Sequence, residues 1–288
     1  MNNIELAKAM VPVLDEAYEA AALTSVLNGS PEEVKAGANA GELYIPKMTL
    51  TGLKNYSRND GYGSGDVTLE YQTVKAGYDR GAKFNVDAAD DIETAGVAFG
   101  KLGGEFIRTK VVPEVDAYTF SILAQKAGTG NVTAGNLQGA SVTGKTALAA
   151  IRRAVAGMDN IGVPQEERIL YINPTVLGLI EDMDTTASRA ALASFAQIIK
   201  VPTSRFYTKV DLKNDSNGGY AKAADGHDLD FLVVHKPAVI KYDKHVQPKI
   251  IDPAANQNGD SWIFGYRHLA VVDVHDNKVD GIWGSYTE

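Results

Sequence analysis

The residues best placed to do chemistry form the run 139–146 (GASVTGKT), which matches the phosphate-binding pattern G-x-x-x-x-G-K-S/T. In such a loop the backbone N–H groups hold the phosphates, and a lysine, here Lys145, reaches their outer oxygens. Residues 269–273 (LAVVD) resemble the apolar strand whose aspartate, here Asp273, binds magnesium in nucleotide-binding proteins. Nucleotide binding is therefore one hypothesis for this chain.

The context of this run argues against a nucleotide site. A phosphate-binding loop follows a buried strand, whereas residues 129–138 are polar and rich in glycine. A chain with 28 glycines also matches such a pattern readily by chance. We therefore interpret the residues from Thr143 onward as an ordinary helix start, and a P-loop nucleotide-binding protein is the less favoured alternative.

The remaining candidate groups predict no catalytic residue, no cofactor and no metal ion. The chain has no cysteine and no G-x-S-x-G motif. Asp273, Asp276 and Asp280 lack the spacing and the terminal glutamate of an EF-hand loop, so a turn between strands explains them better. The histidines have no short metal-ligand spacing; they are His227, His235, His245, His268 and His275. A structural protein is thus favoured over an enzyme.

Composition and charge narrow the class of protein further. The 288 residues are 44% hydrophobic, which suffices for a full core in one large domain or two closely connected ones. No apolar stretch reaches the length of a membrane span, and the first residues do not resemble a signal peptide. The net charge of −8 argues against a nucleic-acid binder, which needs clustered lysine and arginine. We expect a soluble intracellular protein without a membrane partner.

The elements that would position any site begin with a helical pattern over residues 3–27 and a small, polar linker over 30–41. Residues 44–53 and 67–71 then carry an extended, alternating pattern on either side of a glycine-rich tip at 55–66. This pattern predicts a long β-hairpin. Because an isolated two-stranded ribbon is only marginally stable in water, we expect the hairpin to lie on another surface, in the subunit or on a neighbour.

An amphipathic segment of about forty residues, 87–127, follows a further alternating run at 78–86. Ile92, Phe99 and Phe106 recur every seven residues, which is typical of a helix that buries one face. At 1.5 Å per residue this helix would be on the order of 60 Å long. The sequence therefore predicts an elongated molecule.

Glycines and a proline interrupt this helix pattern: Gly100, Gly103, Gly104 and Pro113. Each glycine costs about 0.5–1 kcal/mol relative to alanine inside a helix, and a proline costs about 3 kcal/mol. The simpler interpretation is that they admit close packing or separate two helices. The alternative is that the helix bends in use, which makes these four residues hinge candidates.

Beyond residue 130, strand and helix patterns alternate. Helices are predicted from Thr143 to about residue 160, at 175–183 and over 185–200, and strands are predicted at 168–172, 207–212 and 231–234. From residue 238 onward the chain is rich in strands, predicted at 239–242, 249–251, 262–266, 269–274 and 279–283. The pattern favours an α+β fold with helices packed on sheets.

Several of these segments resemble one family in order along the chain. Residues 78–87 (YDRGAKFNVD), 105–108 (EFIR) and 111–120 (VVPEVDAYTF) are similar to the extended loop and spine helix of tailed-bacteriophage major capsid proteins with the Hong Kong 97 fold. Residues 169–174 (ILYINP) and 273–281 (DVHDNKVDG) are also similar to patterns of that family. The resemblance covers most of the chain.

The resemblance implies a division of the chain into five parts. These are an N-terminal arm over residues 1–41, an extended β-hairpin loop over 42–86, the spine helix of a peripheral domain over 87–129, an axial domain over 130–245, and return strands of the peripheral domain over 246–288.

The resemblance also implies a function. Members of the family self-assemble as pentamers and hexamers into the icosahedral head shell that encloses the double-stranded DNA genome, without reading its sequence. We expect a homo-oligomeric structural protein of the virion capsid, assembled in the bacterial host cytoplasm. A separate scaffolding protein, a portal and, in some members, decoration proteins are the expected partners. An encapsulin-like nanocompartment shell protein is the alternative.

Charged residues recur on the helix faces opposite the apolar stripe and in the strand before it. We predict that some of them form inter-subunit or loop-to-spine ion pairs, and that these are the assembly contacts of the protein. The residues are Arg80, Glu105, Arg108, Glu114 and Asp116.

Overall fold

Helices and strands are mixed along the chain in the computed structural model, which describes residues 22–29, 35–36, 42–59, 61–88, 97–139, 142–215, 217–257 and 259–288. Most of the helix predicted at 3–27 and the first part of the predicted spine helix, with Ile92, lie outside these residues.

The helices and strands of the described residues have the following bounds. The α-helices are α1 (Val97–Phe106), α2 (Val112–Lys126), α3 (Gly144–Ile161), α4 (Pro174–Glu181) and α5 (Thr186–Leu192). The strands are β1 (Lys35–Ala36), β2 (Glu42–Leu50), β3 (Val67–Lys75), β4 (Tyr78–Asp87), β5 (Val132–Ala134), β6 (Arg168–Ile172), β7 (Gln197–Lys200), β8 (Val210–Leu212), β9 (Tyr220–Lys222), β10 (Asp228–His235), β11 (Val239–Ile251), β12 (Ser261–Val274) and β13 (Ile282–Thr287).

A five-stranded sheet has the strand order β5-β13-β10-β6-β7. Its outer strands β5 and β7 run parallel to their neighbours, and the inner pairs are antiparallel. Ile151 and Met158 of α3 pack on one face with Ile180 of α4, while Phe120 and Leu123 of α2 pack on the other. Because both faces are covered, β6 and β10 are buried along almost their whole length.

A second sheet has the order β11-β12-β4 and contains the longest strands. β11 and β12 pair along their length, with one irregularity between Asp243 and His245. The four short strands predicted between residues 239 and 274 are therefore two long ones. Phe264 and Tyr266 of β12 pack against Ile107 at the middle of the helix that crosses this sheet.

That helix, which we call the long helix, covers residues 97–126 and consists of α1, a π-helical turn at Ile107–Val111, and α2. Pro113 lies in the first turn of α2 and has no N–H to donate. Just before it, the Val112 N–H donates to the carbonyl of Ile107, five residues back instead of four. The wider turn accommodates the proline without ending the helix.

The long helix differs from the predicted helix in its burial. The sequence predicts one apolar face, but α2 is buried on most of its sides. Residues 22–29 and the turn near Arg205 contact Asp116, and Tyr78 and Arg80 of β4 contact Glu114. Glu114 and Asp116 are consequently 7% and 0% exposed, although the pattern placed them on a solvent-facing surface.

The predicted hairpin is confirmed: β2 and β3 pair antiparallel from Glu42 opposite Lys75 to Leu50 opposite Val67. The short strand β1 adds to the other edge of β2. At the base of the hairpin, Ile45 and Val74 pack against the β11–β12 sheet. The remainder of the hairpin extends beyond this contact.

Two predicted segments are wrong in part. Residues 185–200 form α5 and then the strand β7, because Ile198 and Ile199 pair alongside β6. The strand predicted at 279–283 is β13, and it pairs with β10 and β5. Residues 282–287 therefore complete the five-stranded sheet. In both cases, pairing with a strand that is distant in the sequence determines where the strand forms.

Candidate functional site: an apolar ribbon and buried charges on the long helix

The hairpin β2–β3 exposes a continuous apolar face. Met48 lies opposite Leu69, and Leu50 lies opposite Val67. Since alternate residues of a strand point to the same side, all four side chains share one face. They are 52–65% exposed. Of the large apolar side chains that the described structure exposes, all but one lie on this hairpin and its tip.

The opposite face of the hairpin is polar. Lys47 lies opposite Glu70, and Thr49 lies opposite Thr68. The ribbon is therefore amphipathic, with a polar face suited to water and an apolar face that none of the described residues covers. Exposed apolar area costs about 25 cal/mol per Å² relative to a buried surface, and a contiguous apolar patch marks an interaction site.

The tip of the hairpin, residues 51–66, is organised by its own contacts. Ser57 and Gly61 exchange backbone hydrogen bonds of 3.1 and 2.9 Å. The rings of Tyr56 and Tyr62 meet edge to face at 5.2 Å between centroids. Leu53 at the tip is fully exposed. The tip thus extends the apolar surface of the ribbon.

Arg80 and Glu114, two of the predicted assembly residues, lie together where β4 meets the long helix. Arg80 Nε donates to Glu114 Oε1 at 2.8 Å. The Tyr78 hydroxyl donates to the same oxygen at 3.0 Å. Arg80 also donates to Asn214 Oδ1 at 2.5 Å and to the carbonyl of Lys213 at 2.8 Å. This cluster joins β4, the long helix and the loop between β8 and β9 within one subunit.

Asp116 joins the long helix to the segment 22–29. Its Oδ1 accepts hydrogen bonds from the backbone N–H (3.1 Å) and the hydroxyl (2.7 Å) of Thr24. Its Oδ2 accepts from the Leu23 N–H at 3.2 Å and from Arg205 at 3.0 Å. The sequence provides no signal for these partners, because Thr24 and Arg205 lie about ninety residues from Asp116 on either side.

Glu105 and Arg108 lie elsewhere on the long helix and pair with each other. Arg108 contacts both carboxylate oxygens of Glu105, at 3.0 and 2.8 Å, and both side chains are about 60% exposed. The five predicted assembly residues thus form three separate pairs or clusters. Their contacts lie within one subunit, so any inter-subunit contact of these residues stays a prediction.

The hinge candidates all lie inside the unbroken long helix. Gly100, Gly103 and Gly104 belong to α1, and Pro113 belongs to the first turn of α2. Gly103 is buried and Gly104 is half-buried. Their role as hinges stays a prediction.

The pKa of the Tyr78 hydroxyl is shifted by its burial and by the neighbouring Glu114. Burial raises the pKa of the Tyr78 hydroxyl well above its ordinary value of 10.0, and the charge of Glu114 raises it further. Burial likewise raises the pKa of Tyr220 to about 12. These hydroxyls stay protonated over the physiological pH range and act as donors or packed side chains.

The phosphate-binding pattern lies at an ordinary helix start. The Thr143 side chain caps α3 by accepting a hydrogen bond from the N–H of Thr146, and Lys145 is exposed. A Cβ at Gly144 would collide with the carbonyl oxygen of Leu179 in α4, so close helix packing explains this glycine. Residues 140–141 of the pattern lie outside the described residues.

The other parts of a nucleotide site do not meet at this loop. β5, the strand that precedes it, has three residues and lies at the edge of its sheet. Asp273 belongs to β12 in the other sheet, where its carboxylate lies 3.5 Å from Lys126 Nζ. The described residues contain no group of three or more histidine, aspartate or glutamate side chains that could hold a metal ion. None of the described helices is both long and apolar enough to cross a membrane.

Several solved capsid structures share this arrangement of sheets and helices. The capsid of cyanophage P-SCSP1u has a TM-score of 0.56 and 14% identity, covering 88% of this chain and 85% of that chain. The mature capsid of bacteriophage PhiM1 has the same score and identity, covering 86% and 82%. The capsid of Myoviridae phage XM1 has a TM-score of 0.54 and 12% identity, covering 92% of both chains. The chain has the capsid fold of tailed phages.

This capsid fold is the Hong Kong 97 fold that the resemblance implied, and its α+β class is confirmed. No protein-family model matches the sequence, and no curated protein matches it. The capsid fold is thus recognisable in three dimensions at sequence identities of 12–14%. The five-part division of the chain stays a prediction.

Proposed function

We propose that this protein is the major capsid protein of a tailed phage, which self-assembles into the icosahedral head shell around the double-stranded DNA genome. The observation that carries the proposal is the apolar face of the hairpin, Met48 and Leu50 opposite Leu69 and Val67, on a chain with the capsid fold. A ribbon with one uncovered apolar face is expected to be completed by a partner.

A second copy of the same chain is the partner that this surface fits best. The hairpin extends beyond its base contact at Ile45 and Val74, so its outer half is free to lie across a neighbouring subunit. Repetition of this contact around a ring would generate the pentamers and hexamers of a closed shell. Arg80, Glu105, Arg108, Glu114 and Asp116 would then support the shell through the elements they join or through contacts between subunits.

The acidic charge of the chain fits the role of a container. At a net charge of −8, the wall would not retain packaged DNA through tight phosphate contacts. The protein would act without catalysis, reside in the virion, and assemble in the host cytoplasm with a scaffolding protein and a portal, and with decoration proteins where the phage has them.

Electron microscopy of the expressed full-length protein, with and without the products of neighbouring genes, tests the proposal. We expect closed icosahedral shells. The double variant Met48→Ser, Leu69→Ser should abolish shells while the folded subunit persists, because it removes apolar area only from the uncovered face. The matched control Thr49→Ser, Thr68→Ser changes a cross-strand pair on the polar face and should leave shell yield unchanged.

Two results would contradict the proposal. Shells that form at normal yield with the Met48→Ser, Leu69→Ser variant would exclude the apolar face as the assembly contact. Shells that load a cellular enzyme in place of DNA would identify the protein as a nanocompartment shell protein.

A further inference from the structure

The side chain of Gln72 joins the hairpin β2–β3 to the end of strand β12. Gln72 Nε2 donates to the carbonyl of Val274 at 3.1 Å, and Gln72 Oε1 accepts from the N–H of Asp276 at 3.2 Å. Val274 is the last residue of β12, and Asp276 lies in the turn that follows it. One carboxamide thus bonds a backbone acceptor and a backbone donor that lie 202 and 204 positions further along the chain.

This pair of hydrogen bonds requires the carboxamide group. A neutral amide offers a donor and an acceptor at once, whereas a carboxylate only accepts and an aliphatic side chain does neither. Gln72 is half-buried, and in β3 only Gln72 and Val74 are not exposed. At such a position water competes less with the two bonds, which strengthens them.

Apolar side chains pack beside Gln72 at the base of the hairpin. Ile45 lies opposite Gln72 on β2, and Ile45 and Val74 pack with Ile240 and Val271 of the β11–β12 sheet. Apolar packing is not directional, whereas hydrogen bonds depend on angle and distance. The packing therefore holds the base of the hairpin on the sheet, and the Gln72 hydrogen bonds set the angle at which the hairpin leaves it.

Two further contacts lie close to Gln72. A Cβ at Gly77, in the connection from β3 to β4, would collide with the hydroxyl of Tyr118 in α2, so this connection runs tightly against the long helix. Lys47 Nζ lies 3.9 Å from Asp276, but the side chains are 32% and 56% exposed. An exposed ion pair of this kind stabilises little. Gln72 is therefore the main polar contact at this point of the hairpin.

The same contact determines where the apolar face of the hairpin points. Side chains alternate between the two faces of a strand. Ile45 and Gln72 face the subunit's own sheet, so Met48 and Leu69, each three residues away on its strand, lie on the opposite face. The apolar face is thus directed away from the sheet on which the hairpin rests.

We propose that Gln72 is the positioning residue of the assembly surface. Its two hydrogen bonds fix the direction of the hairpin, so that the apolar face reaches a second copy of the chain at one angle. A surface fixed in advance loses less conformational freedom on binding, and a repeated angle lets copies close into a shell. Gln72 acts through the hairpin and not by touching the second copy. The role in assembly rests on the proposed function; the fixed direction of the hairpin does not.

Distance measurements between spin labels test the inference in the full-length subunit. The chain has no cysteine, so Ser64→Cys at the exposed tip and Gln247→Cys at an exposed position of β11 provide the two label sites. Labelled protein is diluted with unlabelled protein, so that double electron–electron resonance reports distances within one subunit. We expect one narrow distance distribution in the chain with the natural Gln72.

Two variants remove the contact in different ways. Gln72→Leu removes donor and acceptor, and Gln72→Glu keeps the size of the side chain but loses the donor. We expect each variant to fold, as judged by circular dichroism, to broaden the distance distribution several-fold, and to lower the yield of closed shells several-fold. The matched control is Gln125→Leu. Gln125 also donates to two backbone carbonyls, of Ser121 and Thr208, but lies outside the hairpin, so both readouts should stay unchanged.

The outcomes separate this inference from the proposed function. An unchanged distance distribution in Gln72→Leu and Gln72→Glu would overturn the inference, and so would equal broadening in Gln125→Leu. Broadening at normal shell yield would overturn the role of Gln72 in assembly. Broadening in the two Gln72 variants, when the natural chain forms no shells under any condition, would support the fixed direction of the hairpin and refute the proposed function.

Discussion

Arg80 Nε lies 2.8 Å from Glu114 Oε1, and this ion pair joins strand β4 to the long helix at a largely buried position. The side chains are 20% and 9% exposed. Because Arg80 also binds Asn214 and the Lys213 carbonyl, one side chain connects the sheet, the helix and the β8–β9 loop. The cluster therefore fixes the long helix and the β8–β9 loop against strand β4.

Replacement of Arg80 by methionine should destabilise the subunit. The variant leaves the Glu114 carboxylate buried without its guanidinium partner. Removal of one member of a buried ion pair costs several kcal/mol of stability. Because Arg80 is partly exposed, we expect a loss of about 2 kcal/mol here. Urea unfolding of the soluble subunit measures the loss. Arg108→Met, at a pair about 60% exposed, is the matched control and should change the free energy of unfolding by less than about 0.5 kcal/mol.

Charge reversal at Arg108 tests whether the exposed pair on the long helix acts between subunits. Arg108→Glu places like charges at Glu105 and residue 108, which costs about 0.5 kcal/mol in an isolated helix. We expect a several-fold lower shell yield in sedimentation, with a subunit of nearly unchanged stability. The swap Glu105→Arg, Arg108→Glu restores the pair within the helix; recovery of full yield by this swap would show that the pair acts only within the subunit.

The raised pKa of Tyr78 predicts a loss of stability at high pH. The pKa of Tyr78 in the folded state lies above the ordinary value of 10.0. The contribution of Tyr78 to the free energy of unfolding is therefore complete below about pH 10. It declines as the pH rises further, because the unfolded chain releases a proton that the folded chain keeps. The urea midpoint should fall above pH 10. In Tyr78→Phe the decline should be shallower, while Tyr62→Phe, at a side chain 92% exposed, should follow the natural protein.

Alanine at both Gly103 and Gly104 tests the hinge hypothesis. Each alanine favours the helix by about 1 kcal/mol over glycine, so a helix that must bend during assembly or expansion becomes stiffer. We expect slower expansion or failure of shell formation, measured by light scattering and electron microscopy. Gly178→Ala is the control, since a Cβ at this position in α4 meets no atom within 4 Å. Unchanged assembly and expansion in the double variant would end the hypothesis.

The sequence by itself determined the local elements. Thr143 and Gly162 bound α3 in the structure as their residue types predict, since one caps the first turn and the other adopts a left-handed conformation. The alternating residues of β2 and β3 likewise predict the hairpin. These features depend on contacts within a few residues or on strand periodicity, which the order of residues carries directly.

Only the tertiary structure decided which distant groups meet. It buried Glu114 and Asp116 beneath other segments, added β13 to the five-stranded sheet, and brought Asn28 to Lys241 across 213 positions. The type of a charged residue does not reveal whether its side chain faces water or a partner ninety residues away. Its burial and its partner depend on how the sheets and helices pack in space. Spacing along the chain does not contain that information.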